Sequence, residues 1–234
     1  MQGVILTDAQ IERYSRQIIL PEVGSRGQER LLAASVAVAG NGTAARTAAL
    51  YLAAAGIGHL GVEPPHLAEG RLADANPDCR ISPLMSPLTP EAASAAASAY
   101  HVVVAADAPP DADGLLYAAC LRAGTPLAWG RSAASSGCAT TFSHLRDHAP
   151  CYECLVTHAA RLAPPGEPSA LSEVTAAFIG SLLAIDVVKL VVERSPQSSG
   201  LLVFEALGGT IREARIVRDP LCPVCSAGAT ATRV

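Results

Sequence analysis

The hydrophobic and polar positions change period several times along the chain. From Thr7 to Ala34 apolar residues recur at helical spacing, with Ile11, Tyr14 and Ile18 on one face of AQIERYSRQI. Thr7 or Asp8 stands where a side chain can cap the first turn. A second short helix, SRGQERLLAA, leads into the unbroken apolar run SVAVAG. The alanine-rich segment TAARTAALYLAAAG then predicts a helix closed by Gly56, and HLGVE predicts a second strand. Because a helix crosses between them, the two strands are expected to be parallel.

After Glu63 the pattern breaks. Six of the seventeen prolines fall between residues 64 and 99, leaving RISPLM as a weak strand and TPEAASAAASAY as a helix. The run HVVVAAD at 101–107 suits a strand buried on both faces. The helix GLLYAACLRAG and the strand TPLAWGRS follow it. ATTFSHL and LLVFEALGGTIREARIV read as antiparallel strands around a long helix at 173–194, the latter segment as a hairpin at Gly208-Gly209. APPGEPSA at 163–170 reads as a mobile loop. The expected class is α/β: a Rossmann-like, mostly parallel sheet flanked by helices, with antiparallel strands near the C-terminus.

The 234 residues are 50% hydrophobic, enough for one sizeable core. Only 16% are charged and the net charge is −4, with arginines scattered rather than massed. That argues against a nucleic-acid groove. The N-terminus lacks an export signal, and Asp186 and Lys189 interrupt the most apolar helix, so a cytoplasmic chain with no membrane span is expected.

Two features carry chemistry. Gly40-Asn41-Gly42-Thr43-Ala44-Ala45 has the form G-x-G-x-x-A between a strand and a helix. Gly40 permits the tight turn, Gly42 lets the backbone approach a phosphate, and the helix N-terminus offers N–H donors. Glu63, 21 residues beyond Gly42, lies near where an acidic side chain holds a ribose hydroxyl. The same turn also serves as a purely structural link between strand and helix. The second feature is a pair of elbows, Cys151-Tyr-Glu-Cys154 and Cys222-Pro-Val-Cys225, whose four thiolates can close a tetrahedral structural zinc site. A redox dithiol or two disulfides are the alternatives. Cys79, Cys120 and Cys138 stand alone, and packing is the ordinary use of such residues.

RYSRQIILPEVGSRGQERL, the glycine turn, YLAAAGIGHL, NPDCRISPL, CYECL, IGSLLAIDVVKL and DPLCPVC occur in an order and spacing that resemble the ThiF/MoeB/HesA family, the bacterial relatives of ubiquitin-activating enzymes. The resemblance spans almost the whole chain. It implies a single domain over 1–234, with a helical arm at 1–34, a nucleotide-binding core at 35–130 and a zinc-binding remainder at 131–234. It further implies a homodimer that uses ATP and Mg2+ to adenylate the C-terminal glycine of a small ubiquitin-like or sulfur-carrier protein. Gly40 and Gly42 would lie under the phosphates, Arg16 would reach the γ-phosphate across the dimer, and Cys151, Cys154, Cys222 and Cys225 would hold zinc.

The sequence departs from the family pattern at several places: the glycine turn lacks the third family glycine, the loop before helix 173–194 lacks a cysteine found in some members, and two departures touch the nucleotide site. The segment VEPPHLAEGRLADANPDC is about twenty residues shorter than the family's crossover and has no lysine, leaving Arg71, its one arginine, to stand in for the family's ATP-binding arginine although it lies closer to Glu63 than the family pattern has it. At the end of the fourth strand Asp107 falls one position before the family's magnesium-binding aspartate, and a shift of one residue turns a strand side chain to the other face. Two further readings therefore stand beside the adenylyltransferase. One is a non-catalytic relative that binds a carrier protein, a peptide or an active paralogue; the other is a nicotinamide-dependent oxidoreductase.

Overall fold

The computed structural model describes residues 6–64, 71–142, 150–162, 167, 169–192 and 200–225. Two helices, α1 (Asp8–Ile18) and α2 (Gly24–Ala33), precede β1 (Ser35–Ala39). Then come α3 (Thr43–Ala55), β2 (His59–Val62), the short α4 (Arg71–Ala75), β3 (Arg80–Pro83), α5 (Pro90–Ala99) and β4 (Val102–Ala106). The chain continues through α6 (Pro110–Ala123), β5 (Leu127–Ala133), β6 (Ser136–Phe142), α7 (Tyr152–Leu162), α8 (Ser172–Val191), β7 (Gly200–Glu205) and β8 (Thr210–Arg215).

All eight strands form one sheet in the order β3-β2-β1-β4-β5-β6-β7-β8. The first five pair in parallel and the last three antiparallel, as the sequence predicts. Strand order reverses between β1 and β4, because β2 and β3 extend one way and the chain then returns to the other side of β1. In open α/β sheets ligands bind at the strand carboxyl ends beside such a reversal.

The continuous apolar runs of β1 and β4 are explained by burial on both faces. Val36, Val38, Val102 and Val104 enter one core with α2, α3 and α8, whereas Ala37, Ala39, Val103 and Ala105 enter the other with α5, α6 and α7. The first core is close-packed through missing side chains: a Cβ on Gly180 of α8 would stand 2.2 Å from the Ala44 carbonyl of α3. Helix α8 is long and apolar enough to cross a membrane by length and composition. In this fold it lies in the sheet's core, with Ile179, Leu183 and Val187 fully buried.

Helix α1 opens with a capping box, Thr7 accepting from the Gln10 amide and Gln10 returning the bond to the Thr7 amide. Its expected apolar face is narrower than the periodicity predicts. Tyr14 is buried, but Ile11 is 47% exposed, because the helix is held mainly by polar ties. Tyr14 donates to Asp78 at 2.9 Å, Asn76 donates to the Tyr14 hydroxyl at 2.8 Å, and Arg13 pairs with Asp78 at 3.1 Å. Burial pushes the Tyr14 phenol up to about 12.

The sheet's two rims differ from its centre. β3 is four residues long, with Arg80 and Pro83 exposed, and β8 reads Thr-Ile-Arg-Glu-Ala-Arg with nearly every side chain facing solvent. Most of the 163–170 loop expected to be mobile lies outside the described residues.

Candidate functional site

The glycine turn sits at the strand carboxyl ends, on the β1 side of the reversal. Gly40 has φ 119°, and a Cβ there would lie 2.0 Å from the Ala106 carbonyl of β4. Glycine is thus required by conformation and by space. Gly42 caps α3 with φ −97°, and a Cβ there would meet nothing within 4 Å. The free space above Gly42 lies where the first N–H groups of α3 open and where an anion gains most from the helix dipole. At the opposite end Gly56 closes the helix in the left-handed conformation at φ 96°, as its sequence position predicts.

Glu63, just past β2, turns toward this cradle and accepts from the Gly40 amide at 2.8 Å. Its carboxylate is therefore fixed at the turn. Thr43 on the first turn of α3 donates to the Glu173 carboxylate of α8. Sequence reasoning misses Glu173, because nothing in the linear pattern brings position 173 beside position 43.

Asp107 follows the end of β4 with φ 52°, and both carboxylate oxygens are engaged by Ser132, through its amide at 2.6 Å and its hydroxyl at 2.6 Å. The backbone turn keeps Asp107 at the carboxyl edge, where its own amide reaches the Gly130 carbonyl at 3.0 Å. Gly40, Gly42, Glu63 and Asp107 are thus gathered around one end of the sheet. Arg71 opens α4, and its side chain lies outside the described residues. Arg16 is not brought to this end. It is exposed on the last turn of α1, a helix anchored through Tyr14 and Asn76 near the C-terminus of α3. The 13-residue α3 places that anchor about 20 Å from the glycine turn.

Beneath the β4–α6 connection lies a second group that the sequence does not reveal. Asp113 is 1% exposed, and its Oδ2 accepts from Trp129 Nε1 at 2.9 Å, from Tyr152 at 3.3 Å and from Arg131. Among the described residues its Oδ1 has no partner. Burial raises the Asp113 carboxyl, while the Trp129 and Arg131 donors oppose that rise. Nearby Cys138 is buried, and burial pushes its thiol up to about 12, the environment of a packing thiol.

The four elbow cysteines meet although 71 positions separate their partners. Cys151 and Cys222 sulfurs are 3.6 Å apart, Cys154 and Cys225 3.5 Å, and Cys151 and Cys154 3.9 Å, with all four ligand atoms within 4.8 Å of one another. None is in a disulfide. Four sulfurs at about 2.3 Å from a tetrahedral ion would stand about 3.8 Å apart, close to the three separations given, so the cluster could hold a metal ion. The Asp219 amide donates to Cys154 Sγ at 3.4 Å. Burial raises the Cys151 thiol. At Cys222 burial also raises the thiol, but amides of the second elbow and the neighbouring thiols outweigh it and bring it down to about 7. His158 is turned away to the Cys154 carbonyl at 2.9 Å and is no part of the cluster.

Comparison with known proteins places this arrangement. The ThiF family matches residues 14–63 and 66–224. A sulfur carrier protein adenylyltransferase of Thermus thermophilus is 33% identical, the match covering 94% of this chain and 92% of the relative. An adenylyltransferase and sulfurtransferase of Bos taurus is also 33% identical over 97% of this chain, which spans 56% of that relative's length. Among solved structures, Escherichia coli MccB with ATP superposes with a TM-score of 0.71 at 19% identity, over 95% of this chain and 76% of that one, a likeness of fold. With the family matched across nearly the whole sequence, and with the glycine turn and cysteine elbows placed as described, the chain belongs to the ThiF family.

Proposed function

We propose that this chain is an adenylyltransferase that uses ATP and Mg2+ to activate the C-terminal carboxylate of a small ubiquitin-like or sulfur-carrier protein. The observation that carries the reading is the cradle at the β1–β4 reversal, where Gly40, the open Gly42, Glu63 and Asp107 converge. It lies within a chain one third identical, over almost its full length, to a sulfur carrier protein adenylyltransferase. In this reading Gly40 and Gly42 would hold the phosphates, Glu63 would face the ribose, and Asp107, its two oxygens steadied by Ser132, would hold magnesium through their remaining lone pairs. A carboxylate oxygen of the carrier forms a bond to the α-phosphorus, and the bond from that phosphorus to the pyrophosphate oxygen breaks. Charge on the leaving pyrophosphate must be neutralised by fixed cations. Arg16 supplies one from the second subunit of a homodimer, which accounts for its distance from the cradle of its own chain.

The elbows hold zinc in a structural role. Four thiolates fill a tetrahedral ion's positions and leave none open for substrate, so the metal fastens α7 to the C-terminal segment.

A second reading has its own support. Only seventeen residues separate β2 from β3, they carry no lysine, and Glu173 places a negative charge on the first turn of α3. A relative that has given up nucleotide chemistry and binds a carrier protein or peptide fits these features. Titration of the zinc-loaded protein with ATP and Mg2+, followed by ATP–pyrophosphate exchange with sulfur-carrier proteins, separates the two. Saturable binding and carrier-dependent exchange are expected; no binding at millimolar ATP would overturn the enzyme reading.

A further inference from the structure

Among the cationic side chains near the strand carboxyl ends, Arg131 is distinguished by how it is held. It extends from β5 one residue beyond the pairing of Ala106 with Gly130, so it stands at the edge of the sheet beside Asp107. Its Nη2 donates to the Ala108 carbonyl at 3.2 Å and to Asp113 Oδ2. No other hydrogen bond of the guanidinium occurs among the described residues, which leaves Nε and Nη1 as unused donors. The side chain is 37% exposed, whereas the carboxylate gripping it is 1% exposed. Asp113 is itself steadied by Trp129 and Tyr152, and the guanidinium carbon lies 6.0 Å from the Trp129 ring centre. Nη2 is thus anchored from below, while Nε and Nη1 belong to a partly exposed side chain.

We propose that Arg131 receives the terminal carboxylate of the protein substrate, with Asp113 as the positioning residue that aims it. The inference rests on the reading that this chain adenylates a carboxylate. With Nη2 taken, a carboxylate is held by one charge-assisted hydrogen bond from Nε or Nη1, backed by the guanidinium charge. The phosphates have donors of their own at α3. Strands β1, β4 and β5 are successive neighbours about 4.8 Å apart, so the Arg131 backbone lies about 10 Å from Gly40. Its side chain leaves the sheet on the α6 and α7 face, with Trp129, whereas the glycine turn opens on the α3 and α8 face. A carboxylate held there approaches the α-phosphorus from the side away from the α3 cradle, as a displacement with attacking and leaving oxygens in line requires. Nothing in the linear sequence marks Arg131, because its significance depends on Asp113 rising beneath it from another element.

The test compares a sulfur-carrier protein ending in Gly-Gly with a free carboxylate and the same protein as its C-terminal amide. Binding of each to the zinc-loaded full chain is measured calorimetrically. Wild type is expected to prefer the acid by about tenfold or more, the range of one charge-assisted pair. R131Q is expected to bind acid and amide alike, with the carrier KM in pyrophosphate exchange raised by a similar factor and the ATP KM unchanged. R131K, which keeps the charge but has a single nitrogen to serve both Asp113 and the substrate, is expected to retain only part of the preference, and it carries the test should R131Q not fold. A variant that folds and holds zinc yet discriminates acid from amide as wild type does would overturn the inference while leaving the exchange activity, and so the proposed function, intact. Wild type that neither exchanges pyrophosphate nor discriminates would take down the proposed function and this inference with it.

Discussion

Replacing Gly42 by alanine tests whether a phosphate rests on the turn, and the structure allows the effect on folding to be separated from the effect on ligand. At Gly42 φ is −97° and an added Cβ meets nothing within 4 Å, so the methyl group causes neither strain nor overlap in the ligand-free protein. Alanine is a poorer N-cap than glycine by about 0.5 kcal/mol. It also stiffens the unfolded chain, which returns about 0.4–1 kcal/mol. The net change in stability should lie within about 1 kcal/mol, or about 2–4 °C in Tm for a chain of this size. The methyl group would, however, stand where an anion must lie to use the first amides of α3. Losing one charge-assisted contact costs about 1.5–3 kcal/mol, so ATP affinity should fall about 10- to 150-fold. Gly40→Ala is the contrast. With φ 119° and the Ala106 carbonyl 2.0 Å from the new Cβ, it combines about 1–3 kcal/mol of backbone strain with about 1–3 kcal/mol of overpacking. It should therefore lower Tm whether or not ligand is present. Thermal denaturation and ATP titration on both variants suffice. A Gly42→Ala protein that keeps wild-type stability and wild-type ATP affinity would refute the placement of phosphate on this turn.

Three further outcomes are expected. Glu173→Gln removes a negative charge from the first turn of α3 and should tighten ATP binding several-fold by titration; unchanged or weaker binding would show that the carboxylate does not compete with phosphate. Cys222→Ser should abolish stoichiometric zinc by elemental analysis and lower Tm, and a variant that keeps one zinc per chain would refute the four-thiolate site. Tyr14→Phe removes a hydroxyl that serves Asp78 and Asn76 and should cost about 1–3 kcal/mol in urea denaturation. Because the folded phenol is raised to about 12 from about 10, its stabilisation is full below pH 10 and is lost as pH rises toward 12; the gap between wild type and Tyr14→Phe should close over that window, and a constant gap would refute the buried-phenol account.

The parts of this protein legible in its sequence are those whose cause is local. Gly40 and Gly56 mark turns because a single backbone conformation demands glycine there, and the runs VVVAA and SVAVA mark two-faced burial without any knowledge of their neighbours. The cysteine elbows are legible because each presents two sulfurs from one turn, although only folding shows that the pairs meet. The hairpin of β5 and β6 is hidden. Its turn uses Ala134 at φ 28° and Ser135, with no glycine or asparagine to announce it. The exposed Ile11 is misread because periodicity reports a face that could be buried, and α1 is held by Tyr14 and its polar partners instead. Asp113 with Arg131, and Thr43 with Glu173, are invisible for a different reason: each pair joins elements whose contact is settled by how helices lie on the sheet.

The rims of the sheet bear on how copies of this chain can associate. An eight-stranded sheet ends in two rows of unpaired backbone groups, each able to recruit another strand. Here one rim is four residues long and bears Arg80 and Pro83, and the other carries Arg212, Glu213 and Arg215 on a solvent-facing strand. Lateral growth would meet a proline without a donor at the short rim and would have to cover charged side chains at the other. Open-ended strand addition, with its risk of fibres, is thereby disfavoured at both rims.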